Sequence, residues 1–125
     1  MKKIIVTDKA PAAIGPYSQA IEIPGLLFTS GVIPIVPATG ELVSGGIREQ
    51  AEQAIRNLAA LIEAAGANIQ DTVKTTVFIK NMDDFGLINE IYSQYFKTDC
   101  PARSCVEVAR LPKDVLIEIE AIVAK

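Results

Sequence analysis

Towards the C-terminal end, Arg103, Cys105, Glu118 and Glu120 are the side chains whose types and spacing could do chemistry. Arginine presents a planar fork of donors that fits a carboxylate through two parallel hydrogen bonds. Arg103 is therefore a candidate anchor for a small carboxylic acid. A glutamate nearby could hold a water, take its proton and return that proton to a leaving group. The chain contains no histidine, which excludes a Ser-His-Asp or Cys-His mechanism and an ordinary histidine-bearing zinc site. Positioned acid–base help contributes roughly 10²–10⁴-fold, enough only for a reaction already feasible in water. Hydrolysis of a C=N bond falls in that class; hydrolysis of an amide or a phosphate does not. Plainer readings stand beside these. Residue types alone favour a salt bridge from Arg103 to Glu107, Glu118 or Glu120 that fixes an interface. Spacing cannot choose between Glu118 and Glu120, because both point the same way along a strand. Cys105 reads as a small buried hydrophobe more readily than as a nucleophile, since Arg103 alone would have to activate it.

Two strands must position these groups: Ala102 to Ala109, and Val115 to Val123 after a turn carrying Pro112 and Asp114. In the second, Val115, Ile117, Ile119, Ala121 and Val123 form an apolar list that must face helices, and Leu116, Glu118, Glu120 and Ile122 form the other list. In the first, Ala102, Val106 and Val108 are assigned to the helices and Arg103, Cys105 and Glu107 to the opposite side. Arg103, Cys105, Glu118 and Glu120 are thereby expected together on a helix-free face, among Leu116 and Ile122. An apolar face with a few charges suits a subunit interface with an embedded polar pocket.

Upstream, Lys3 to Thr7 reads as an edge strand, and Tyr17 to Ile23 with Leu26 to Val32 as a hairpin through Pro24-Gly25. Pro34 to Gly46 reads as a loop. Ile47, Ala51, Ala54, Ile55, Leu58, Leu61, Ile62 and Ala65 make one helical stripe that stops at Gly66. Thr72 to Lys80 is a β-branched strand. Asn81 then caps a second helix, with Asp84 placed as in a capping box and a stripe of Phe85, Ile88, Tyr92 and Phe96. Strand–helix–strand units predict a largely parallel core pairing with a hairpin added. Two helices cannot cover both faces of six strands. The expected class is α+β, a mixed six-stranded sheet with two helices packed on one face.

The 125 residues fit one domain spanning 1–125. Half are hydrophobic and 22% are charged, a surplus of apolar side chains that points to burial against another subunit. The net charge of −3 gives no basic footprint, so neither nucleic acid nor an anionic membrane is expected as a partner. No membrane span or secretory signal is visible. Cys100 and Cys105 read as free thiols of a reducing compartment, and the expected location is cytoplasmic. Gly45-Gly46 lacks the pattern of a phosphate loop and serves as a plain helix approach.

At Pro101-Ala-Arg-Ser-Cys-Val-Glu-Val108, then Arg110-Leu-Pro-Lys-Asp114 and Ile117-Glu-Ile119, the chain closely resembles the YjgF-like Rid family of enamine/imine deaminases. The likeness extends to Ala13-Ile-Gly-Pro-Tyr-Ser-Gln-Ala20, Thr29-Ser-Gly31 and Ile88-Asn-Glu-Ile-Tyr92. The resemblance implies a chorismate-mutase-like fold and a homotrimer with sites in the clefts between subunits. It implies no metal and no cofactor. The implied substrates are 2-aminoacrylate, 2-aminocrotonate and their imine tautomers, released by pyridoxal-phosphate dehydratases and converted to 2-keto acids and ammonia. Carried over by motif position, Arg103 grips the substrate carboxylate, Glu118 orients water, and Cys105 offers its backbone carbonyl. Tyr17, Ser30, Gly31 and Asn89 complete the pocket. Two departures stand out: Val32 sits where many relatives carry glutamine, and Cys100 lies outside the family pattern. Two other functions compete: a keto-acid or amino-acid sensor without turnover, and an RNA-acting or translation-inhibiting protein. Retention of Glu118 beside Arg103 argues against the first, and a pI near 4.9 against the second.

Overall fold

Strict alternation in the last strand governs the architecture of the computed structural model, which describes residues 1–125. The strands are Lys3–Ile5 (β1), Ala20–Ile23 (β2), Leu26–Thr29 (β3), Ile35–Val36 (β4), Glu41–Leu42 (β5), Thr72–Ile79 (β6), Ala102–Glu107 (β7) and Ile117–Ala124 (β8). The helices are Ile47–Ala64 (α1) and Phe85–Tyr95 (α2). Six strands form one sheet in the order β1-β2-β3-β8-β6-β7, while β4 and β5 pair apart as a small ribbon inside the expected loop. Along β8, Ile117, Ile119, Ala121 and Val123 are buried, and Glu118, Glu120 and Ile122 are half-buried on the other face. Each fully buried Ile or Val there contributes roughly 1.5–3 kcal/mol of transfer free energy. The expected mixed sheet with two helices on one face is what forms.

The pairing differs from expectation in one respect. Only β6 and β7 run parallel; β1–β2, β2–β3, β3–β8 and β8–β6 are all antiparallel. The crossover from β3 through α1 to β6 does return a parallel strand, but β8 inserts between the two. A split β-α-β unit results, and each parallel neighbour becomes an antiparallel ladder with β8.

Both ends of α1 follow local chemistry. Glu49 Oε1 accepts from the Gly46 N–H at 2.9 Å, which places a carboxylate at the positive end of the helix. At the far end Gly66 takes φ +79°, and Gly66 N and Ala67 N donate to Glu63 O and Ile62 O. This is a Schellman closure, which needs a residue at ease in the left-handed region. Asn81 caps a short 3-10 turn at Met82–Asp84 by accepting from Asp83 N, and α2 begins only at Phe85. The stripe of α2 buries Ile88, Ile91, Tyr92 and Phe96, whereas Phe85 stays half-buried.

Polar residues inside the α1 stripe pin the loops around it. Asn57 Nδ2 donates to Ile33 O at 3.1 Å and Ile35 O at 2.7 Å, and Gln53 Nε2 donates to Asn57 Oδ1. Gln50 Oε1 accepts from Leu116 N, one residue before β8 begins. These amides fix the chain leaving β3 and the chain entering β8, the two segments that carry Gly31 and Glu118.

Candidate functional site

The register of β7 decides where Arg103 goes. Thr75 pairs with Arg103, Val77 with Cys105 and Ile79 with Glu107, and Thr75, Val77 and Ile79 are buried against the helices. Arg103 and Cys105 therefore lie on the helix-covered side of the sheet. Phe78 pairs with Glu118 and with Val106, and Thr76 with Glu120 and with Ser104, so the glutamates share the bare face with Ser104 and Val106. Lys74, which donates from Nζ to Ser104 Oγ at 3.1 Å, belongs to the same face. The expectation that Arg103, Cys105, Glu118 and Glu120 share one face of a single chain is thus overturned, and Val106 lies opposite to its assigned side. The physical reason is that β7 is an edge strand with neither face fully covered, so the polarity of its residues does not report which face is buried.

On the helix side, Arg103 Nη1 donates to Asn89 Oδ1 at 2.7 Å. Its guanidinium carbon stands 4.8 Å from the centre of the Tyr92 ring and 5.3 Å from that of Phe85. The Tyr92 hydroxyl lies 2.7 Å from Thr75 Oγ1 in a buried contact, and burial foremost pushes its pKa up. None of the four ion pairs in the chain involves Arg103, so the salt bridges to Glu107, Glu118 or Glu120 do not form. Glu107 instead accepts from Met82 N. Cys105 is half-buried against the core. Desolvation raises its thiol pKa and the nearby Arg103 charge only partly opposes this, so the group is a poor thiolate at neutral pH.

On the bare face, Glu118 reaches Gly31. Val32 and Ile119 exchange hydrogen bonds of 2.7 and 3.0 Å, which draws the chain after β3 against β8. A Cβ at Gly31 would stand 1.8 Å from Glu118 Oε2; only glycine lets the carboxylate lie there. Burial, and secondarily the charge of Glu120, raises the Glu118 pKa above the ordinary carboxylate value. That shift favours a base working nearer neutrality.

Gly31, Ser30 and Tyr17 also line a mostly apolar cavity of about 160 Å³, walled by Ile14, Val32 and Leu61 among others. Tyr17 is 51% exposed. The Ser30 hydroxyl donates to Ser18 O at 2.6 Å, so towards a ligand it can offer only its lone pairs. One residue absent from the sequence expectation builds this wall. The buried Gln19 accepts from Thr7 N at 2.8 Å and donates from Nε2 to Thr7 O, Pro11 O and, more weakly, Ala10 O. It lies inside the Ala13–Ala20 motif, which marked Tyr17 for the pocket but gave Gln19 no role.

The candidate residues thus form two groups: Arg103, Asn89 and Cys105 on the helix side, and Glu118, Gly31, Ser30 and Tyr17 at the end of β3. No three His, Cys, Asp or Glu side chains converge as a metal site. No helix is long and apolar enough to cross a membrane.

Comparisons with known proteins agree over the whole chain. The mouse protein named 2-iminobutanoate/2-iminopropanoate deaminase is 48% identical over 122 residues, covering 98% of this chain and 90% of its own. A crystal structure of YyfA from Yersinia pestis, described as a protein of unknown function of the conserved Rid protein family, superposes with a TM-score of 0.97. It is 48% identical and covers all of both chains. E. coli TdcF with bound serine superposes with a TM-score of 0.94, at 48% identity and with 98% of each chain covered. Residues 7–125 match the family described as Endoribonuclease L-PSP, and with these likenesses the chain belongs to that family, the YjgF/Rid proteins.

Proposed function

We propose that the protein hydrolyses reactive enamines such as 2-aminoacrylate and 2-aminocrotonate, and their 2-imino acid tautomers, to 2-keto acids and ammonia. The single observation that carries this reading is Arg103: a half-buried guanidinium without a carboxylate partner, held by neutral groups. A cation kept unpaired at partial desolvation is poised to take an anion from solution. The kinship with a mouse imine deaminase and with a relative that binds serine supports a small amino-acid-derived carboxylate as that anion.

In this reading Arg103 fixes the carboxylate, and Glu118, with its raised pKa, takes a proton from water as the water oxygen bonds to the C=N carbon. Glu118 passes that proton to the nitrogen, which completes a neutral carbinolamine. It then takes the carbinolamine hydroxyl proton and delivers it to the amino group, so that C=O forms as the C–N bond breaks and ammonia leaves. Because Arg103 and Glu118 occupy opposite faces of one sheet, each complete site draws Arg103 from one chain and Glu118 from a neighbour. That matches the trimer with intersubunit clefts implied by the family resemblance. The exposed apolar side chains Phe28 and Val106 on the bare face support its burial against a second copy. The endoribonuclease in the family description finds less support, since a net charge of −3 suits a polyanion poorly.

The test is a coupled assay with a serine or threonine dehydratase, following keto-acid release. Arg103→Lys keeps the charge and loses the fork, and should lower kcat/KM about 10–100-fold. Glu118→Gln should lower kcat by roughly 10²–10⁴-fold. Wild-type turnover in both variants would remove the assignment.

A further inference from the structure

Phe85, Asn89 and Tyr92 stand at intervals of four and three residues and so occupy one face of α2. Seven residues advance a helix by about 10.5 Å. The guanidinium of Arg103, 4.8 Å from the Tyr92 ring and 5.3 Å from the Phe85 ring, therefore lies between the two rings, over Asn89. We propose that Phe85 and Tyr92 are positioning residues: they clamp the plane of Arg103 so that its Nε–Nη2 edge is the one presented to the substrate. The inference rests on Arg103 being the carboxylate anchor.

Three features support the assignment. Arg103 Cζ stands over both rings, and a guanidinium meets aromatic faces best with its weakly hydrated flat flanks, which keeps its in-plane donors free. Asn89 holds Nη1 at 2.7 Å as a neutral acceptor, which fixes the rotation of the fork without neutralising its charge. Tyr92 is itself held by the buried bond to Thr75, and Thr75 is the β6 partner of Arg103 in the sheet. The clamp thus closes a ring from β7 through α2 to β6 and back. No hydrogen bond engages Nε or Nη2, which leaves that edge for two parallel bonds to a carboxylate.

The experiment uses the full-length protein and 2-oxobutanoate, an unreactive keto acid, as the probe. Phe85 is only half-buried, so Phe85→Leu keeps an apolar side chain of similar reach while removing the ring. It should weaken 2-oxobutanoate binding on the order of tenfold by calorimetry, and Phe85→Tyr should restore it. In an Arg103→Lys background the same Phe85→Leu change should have less than about a twofold effect, because an ammonium has no flat face to clamp. Independently of any ligand, the Arg103 Nε–H resonance, assigned by its loss in Arg103→Lys, should move in Phe85→Leu as the ring current disappears. An unmoved resonance, or equal weakening in both backgrounds, would overturn the positioning role and leave Phe85 as packing. If the resonance moves but wild type and Arg103→Lys bind 2-oxobutanoate alike, the anchor itself is overturned and the positioning role falls with it, while the contact between Arg103 and the rings stands.

Discussion

Glu118 sits where four residues set its chemistry: Gly31 leaves it room, Ile119 and Val32 fix its backbone, and Glu120 lends a like charge two positions on. A carboxyl whose folded pKa is raised works as a base only above that pKa, so activity should fall as pH drops, at a pH above the ordinary carboxylate range. Glu120→Gln removes the neighbouring negative charge and eases ionisation of Glu118. The acidic limb of kcat/KM against pH should then move to lower pH; a limb that stays put would mean another group titrates there. The same shift has a stability sign. A raised pKa favours the protonated folded form, so the contribution of Glu118 is greatest at low pH and is lost as pH rises through its folded value. At neutral pH, Glu118→Gln should leave the melting temperature unchanged or higher by up to about a few degrees, even as turnover collapses.

At the scale of elements, what could be read from the sequence depended on burial. β8 was legible because its two faces meet different surroundings, and every second residue from Ile117 to Val123 is buried. α1 was legible through its single stripe and Gly66. β7 was not: as the edge strand it exposes Ala102, Ser104 and Val106 on one side and half-buries Arg103 and Cys105 on the other, so polarity assigned its faces backwards. The insertion of β8 between β3 and β6 was likewise invisible, because local periodicity carries no information about pairing across a long stretch of chain. The family motif implied Asn89 as a pocket residue without giving its bond to Arg103, and nothing in the sequence marked Gln50, Asn57 or Gln19 for the buried bonds they make. Gln19 ties the chain from Thr7 to Pro11 onto the start of β2. Gln19→Ala should cost roughly 2–3 kcal/mol and speed hydrogen exchange at the Thr7 amide; unchanged protection there would show that the loop is held by other contacts.

For the whole molecule, the bare face of the sheet is the feature to disturb. Phe28 pairs across to Ile122 on that face and is 37% exposed in the single chain. Phe28→Asp removes nothing from the helix-side core but places a charge where a neighbouring copy would pack. It should yield a folded monomer by sedimentation, with activity lowered about 10²-fold or more because reacting groups are no longer held in register. A folded monomer with full activity would place the whole reaction inside one chain.

With Arg103 and Glu118 on opposite sides of one sheet, the proposed intersubunit site predicts that two separately crippled proteins should rescue each other. Arg103→Lys chains still carry a sound glutamate, and Glu118→Gln chains a sound arginine. Unfolded together and refolded as an equal mixture, they should regain about a quarter of wild-type turnover, the share of clefts in which chance seats the intact halves face to face. Either variant refolded alone should keep only its own residual activity, about one-tenth to one-hundredth for Arg103→Lys and less for Glu118→Gln.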